Sequence, residues 1–96
     1  MRDLTIDSRL RVSPDAAVRE LDGEGVVLDL GSGHYFGLDP VALRVWQLVA
    51  EGLTLRAIRV RLLEEFEAPE SSLDADLLAF VRDLVARGLV AFADAD

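Results

Sequence analysis

The stretch VVLDLGSGHYFGLDPVALRVWQLV, Val26 to Val49, reads as strand, tight turn, strand and helix. Val26, Leu28 and Leu30 alternate with Val27 and Asp29, the period of a half-buried strand. Gly31, Ser32 and Gly33 form a turn cluster, because glycine takes positive φ without a Cβ clash. His34, Phe36 and Leu38 then alternate with Tyr35 and Gly37, which predicts a second strand. Asp39 is placed to cap the following helix, with Pro40 at its first position, where a missing N–H costs nothing. Leu38, just before the cap, is placed to pack on the first turn as a hydrophobic staple. The helix carries Val45, Trp46, Leu48 and Val49, and the rest of the chain pairs with the hairpin or packs on this helix.

Working outward, Leu10 and Val12 alternate with Arg9, Arg11 and Ser13 as a short strand, which Ser13-Pro14-Asp15 breaks. Ala17 to Leu21 predicts another strand, turned by Asp22-Gly23-Glu24-Gly25 into the strand at Val26. On the other side, Glu51-Gly52 ends the central helix. Thr54 caps a second helix, whose Leu55, Ile58, Leu62 and Phe66 follow at helical spacing. Ala68-Pro69-Glu70 reads as a linker, and Ser71 with Asp74 as a capping box opening a third helix. That helix runs to about Arg87 and stops at Gly88. Leu73, Leu77, Phe80, Val81 and Leu84, widened by Leu78 and Val85, give it an apolar arc of roughly 160° at 100° per residue. Covering a core takes an arc of only about 100°, so this helix has apolar surface for a second neighbour. Leu89, Val90 and Phe92 continue as a short extended tail. The order of elements is α+β: strands first, then three helices. Residues 1–9 read as an arm, 10–92 as one domain and 93–96 as a disordered tail.

The chain has 96 residues, a net charge of −8 and no cysteine. It is long enough for one domain with a modest core. A disulfide framework and thiolate chemistry are excluded. No apolar run reaches the ~18 residues of a membrane helix, and Met1 to Leu10 has no signal-peptide pattern, so the expected compartment is the cytoplasm. All ten basic residues are arginine, and nothing in the sequence explains that.

Catalysis needs a nucleophile or base with an orienting partner. The single histidine, His34, falls on a strand face shared with Phe36, where a packed or surface role is the ordinary one. No metal-ligand spacing is present. Gly31-Ser32-Gly33 precedes a strand, not a helix, and is a turn rather than a phosphate cradle. The inventory does not predict an enzyme. Strands with three helices also suit a winged-helix DNA-binding regulator, the alternative reading. The third helix, however, holds more acids than arginines, and DNA affinity comes mainly from cations on phosphates. Binding at a sheet edge remains: a short exposed strand accepts another strand, with side-chain specificity from a neighbouring apolar groove.

The run from Val26 to Val49, then Thr54-Leu55-Arg56-Ala57-Ile58 and Leu62-x-x-x-Phe66, then Asp76-Leu77-x-x-Phe80-Val81-x-x-Leu84-x-x-x-Gly88-Leu89, resembles the PqqD family. "YFGLDP" followed by "VW", and the "RGLV" ending, are its most specific parts. The family is named for a protein of pyrroloquinoline quinone synthesis and includes stand-alone recognition elements of lasso-peptide and other ribosomal peptide pathways. The resemblance implies a winged-helix-like α+β fold, with a three-stranded antiparallel sheet followed by three helices. It implies a non-catalytic adaptor without a cofactor, binding neither nucleic acid nor membrane. Its partners would be the leader segment of a precursor peptide and a modifying enzyme such as a leader protease, cyclase or radical SAM enzyme. By the same resemblance His34, Tyr35, Phe36 and Gly37 supply backbone hydrogen bonds to the leader. Leu77, Leu78, Val81 and Val85 form the apolar wall, with Asp74 and Arg82 as polar contacts at its rim, while Trp46, Phe80 and Leu84 are assigned to the core.

Overall fold

The computed structural model describes residues 4–66 and 70–93. Its elements in chain order are β1 (Leu10–Val12), β2 (Ala16–Leu21), β3 (Glu24–Asp29), β4 (Tyr35–Leu38), α1 (Pro40–Ala50), α2 (Leu55–Glu65), α3 (Glu70–Ala86) and β5 (Val90–Phe92). The expected α+β arrangement is the one observed: β2, β3 and β4 form a three-stranded antiparallel sheet in that order, and three helices follow. The short tail does more than the sequence suggests, because β5 pairs antiparallel with β1 as a separate ribbon, Leu10 opposite Phe92 and Val12 opposite Val90.

The hairpin β2–β3 turns on two residues, Asp22 (φ 54°) and Gly23 (φ 81°), with Leu21 opposite Glu24. A two-residue turn with both φ positive matches the right-handed twist of its strands. Gly25 therefore belongs to β3, not to the turn. It packs closely there: a Cβ would stand 2.8 Å from Cδ1 of Leu43 in α1, and that side chain would have to shift.

That contact also sets the face of β3. Asp39 caps α1 as expected, accepting from the Ala42 N–H at 2.8 Å, with Pro40 at the first turn. The chain's entry into α1 leaves Leu38 buried, and Leu38 is paired with Gly25. Gly25 and Val27 consequently face the helices, and Val27 is fully buried. The more apolar alternation, Val26, Leu28 and Leu30, is exposed, the reverse of what its hydrophobicity suggests. Strand periodicity fixes which residues share a face, not which face is covered.

Residues 4–9 of the expected arm are tied to α2. The carbonyls of Ile6 and Ser8 accept from the N–H groups of Arg56 and Leu55 at 2.6 and 2.9 Å, occupying free donors of the first turn of α2. Leu4 and Ile6 pack on the core, and Asp7 pairs with Arg56, whose guanidinium holds its carboxyl below the usual range. At the other end, Ala93 donates to the Arg9 carbonyl at 2.9 Å. The rest of the predicted tail, 94–96, and Ala68 and Pro69 of the predicted linker lie outside the described residues. Glu70 opens α3, so Ser71 falls within its first turn rather than at its cap.

Leu10, Val27, Leu43, Trp46, Leu48, Leu55, Ile58, Leu62, Val81 and Leu89 centre the core. Among the described residues no helix is long and apolar enough to cross a membrane. Helix α3 ends as expected at Gly88 (φ 75°), whose N–H donates to Val85 while Leu89 donates to Leu84, both at 3.0 Å. This double bond is the Schellman termination. Gly88→Val is expected to lower stability in chemical denaturation by more than the ~1 kcal/mol separating glycine from ordinary residues on propensity, because a β-branched residue fits positive φ poorly. A substitution without effect would contradict this helix end.

Candidate functional site

Strand β4 pairs with β3 on one side only and is an edge of its sheet. The Asp29 N–H donates to the His34 carbonyl at 2.8 Å, which fixes the phase of the ladder. Antiparallel pairs alternate between bonded and non-bonded, so Phe36 and Leu38 bond inward to β3. Tyr35 and Gly37 turn their N–H and C=O groups to the free edge. Four residues long with a glycine among them, β4 is a short, open edge.

Helix α3 lies across a groove from that edge. Tyr35, Phe36, Gly37 and Leu38 form one wall, and Phe80, Asp83, Leu84 and Arg87 the other, enclosing about 370 Å³. The helical residues are spaced i, i+3, i+4 and i+7, a single flank of α3. The Arg87 guanidinium lies 4.5 Å from the centre of the Phe36 ring, and its Nε donates to Asp83 Oδ2 at 2.9 Å. Arginine over an aromatic face is attractive. Arg87 thus joins the strand wall to the helix wall, and its ion pair with Asp83 makes this end of the groove polar.

Beyond the C-terminal end of β4 a second concavity of about 210 Å³ opens between the helices, lined by Val41, Ala42, Val45, Leu73, Leu77 and Phe80 with Asp39 and Asp76 at its mouth. Phe80 belongs to both hollows. Together they make one concave track that is polar near Arg87 and apolar near Val41.

The predicted site residues separate into two groups. Tyr35, Phe36 and Gly37 line the groove, and Leu77 lines the adjoining hollow. His34 is exposed just ahead of β4, its carbonyl engaged by Asp29. Val81 is fully buried in the core. Asp74, Leu78 and Val85 fall on the opposite flank of α3 from Phe80 and Arg87, at 100° per residue. Asp74 is ion-paired there with Arg59 of α2, while Leu78 and Val85 are half-buried against the core. Arg82 is exposed on the outer side. None of these five lines the groove.

Conversely, the sequence reading gave Phe80 and Leu84 to the core and passed over Asp83 and Arg87. Leu84 is indeed buried and also floors the groove, but Phe80 is only half-buried. The available signal was the ladder Phe80-Leu84-Arg87 with Asp83 beside it. It did not stand out because Leu78 and Val85 make the other flank equally apolar.

No cluster of three or more His, Cys, Asp or Glu that could hold a metal occurs among the described residues. Residues 24–90 match the family model of the coenzyme PQQ synthesis protein D, PqqD. A solved structure of TbiB1 in complex with the TbiA(beta) leader peptide superposes with a TM-score of 0.79 at 33% identity, covering 88% of this chain and 99% of that one. Lasso peptide synthetase B1 complexed with the leader peptide superposes with a TM-score of 0.77 at 26% identity over the same shares. No curated protein sequence matches the chain.

Proposed function

The chain belongs to the PqqD family, and from that premise we propose that it binds the leader segment of a ribosomally made precursor peptide and presents it to a modifying enzyme. The observation that carries this reading is the free edge of β4, with outward Tyr35 and Gly37, facing a groove walled by α3. The two similar structures are themselves complexes with leader peptides. The peptide adds to β4 as a fourth, antiparallel strand. Alternate side chains then drop between β4 and α3 onto Phe36, Phe80 and Leu84, and its N-terminal part reaches the hollow beside Val41 and Leu77. Ordering a disordered peptide offsets about 2–5 kcal/mol of contact energy, and backbone bonds alone discriminate poorly between sequences, so these apolar seats supply both affinity and specificity. The acidic surface favours encounter with basic leaders. The domain carries the peptide in the cytoplasm, where precursors are translated, and leaves the chemistry to its partner.

Phe80→Ala is expected to weaken binding of a synthetic cognate leader peptide by about tenfold or more in calorimetry. Arg82→Ala, on the outer side of α3, should leave affinity unchanged. Amide shifts on titration should fall on Tyr35–Leu38 and Phe80–Arg87. Shifts confined to α2 that spare Tyr35–Leu38 would overturn the site.

A further inference from the structure

Phe36 offers a peptide its ring and nothing else. Its N–H and C=O are committed inward to β3, while its side chain, half-buried against the core, lines the groove. In the structure that ring is already covered. The Arg87 guanidinium reaches across from α3 and lies 4.5 Å from the ring centre. Both residues line the same hollow of about 370 Å³. A peptide side chain that lands on Phe36 therefore has to take the place that Arg87 holds.

The base of Arg87 is fixed and its arm is not. The Arg87 N–H donates to the Asp83 carbonyl at 3.0 Å, the Gly88 and Leu89 bonds that end α3 follow directly, and Leu89 is buried. The side chain beyond this anchor is 45% exposed, and that of its partner Asp83 57%. An exposed ion pair contributes little, and an exposed cation–aromatic contact shifts an equilibrium only about two- to fivefold. The arm is held, but loosely. Asp83 stands on α3 itself, one turn before Arg87, so the guanidinium can leave the ring and keep this ion pair. The ring decides what replaces it. A large apolar side chain gains by burial against Phe36, whereas a lysine or arginine would only exchange one cation for another. Without a peptide, a cation beside an open strand edge discourages chance pairing with other strands.

We infer that Arg87 is a latch on the groove, closed over Phe36 in the free domain and displaced when a peptide seats a large apolar side chain there. The inference rests on the peptide-binding reading. Two measurements with a synthetic cognate leader peptide test it. In NMR spectra of the free domain the Arg87 δ-methylene protons should be shifted upfield by the Phe36 ring current, and leader should return them to ordinary arginine positions. Arg87→Ala should bind leader about two- to fivefold more tightly. The gain should come from faster association at unchanged dissociation, because a site closed part of the time loses apparent affinity by its open fraction. Arg87→Lys, which keeps a cation beside the ring, should bind close to the parent. Circular dichroism checks that both variants stay folded, and the proton shifts are read on the parent in any case. Protons still ring-shifted in the complex, or a folded Arg87→Ala no tighter than the parent, would overturn the latch and leave the peptide reading standing. Leader binding by Arg87→Ala but not by the parent would show the latch at full strength. Binding by neither would sink the peptide reading, and the latch with it.

Discussion

Gly37→Pro is expected to abolish leader binding while leaving the domain folded. Gly37 lies on the edge strand, paired with Val26 in a position whose N–H points away from β3. Proline is tolerated on edge strands where the lost N–H faces solvent. The φ of Gly37 is not positive, and Phe36 before it is already extended, as a residue preceding proline must be. No atom lies within 4 Å of the added Cβ direction. The fold therefore loses little. The peptide loses a backbone donor and meets a ring on the edge it must approach. Each hydrogen bond is worth about 1 kcal/mol, but a blocked edge denies the whole ladder and lifts every side chain from its seat. Calorimetry should show no heat of binding, with circular dichroism unchanged. Parent-like affinity in a folded Gly37→Pro variant would exclude strand addition at β4.

Trp46→Ala is expected to cost about 3–5 kcal/mol, a large part of the 5–15 kcal/mol typical of a domain. Trp46 is 2% exposed in the middle of α1, the helix that packs against β1, β3, β4 and α2. Its removal opens a cavity where these elements converge, and a backbone held from several sides cannot collapse to fill it. Denaturant unfolding checks the magnitude, and the intrinsic fluorescence of the parent should be that of a buried indole. A loss under 1 kcal/mol, or emission from a solvated indole, would contradict this place for α1.

Much of the local architecture was legible because its causes are local. Asp39-Pro40 starts α1, Thr54 starts α2 by accepting from the Ala57 N–H at 3.2 Å, and Gly88 ends α3, each through bonds that span a turn. Strand β4 was found by its alternation, and the structure leaves it at an edge of the sheet. The residues of the facing helix were the harder part. Leu77, Leu78, Val81 and Val85 were read as the peptide wall from the family resemblance laid on an apolar stripe, and apolarity does not distinguish the two flanks of α3.

By itself, then, the sequence determined the α+β order of the elements, two helix starts, one helix end and the short strand that becomes β4, because dihedral preference, capping and periodicity act over a few residues. Tertiary structure decided three things that no local pattern carries. It paired β5 with β1 across almost the whole chain. It turned Val27 rather than Val26 and Leu28 inward, because Leu43 occupies the space over Gly25. And it gave one flank of α3 to α2 through Asp74 and Arg59, leaving Phe80, Asp83, Leu84 and Arg87 to face β4. An apolar helix surface specifies that it will be covered; which neighbour covers which side is settled only when the other helices compete for the same space.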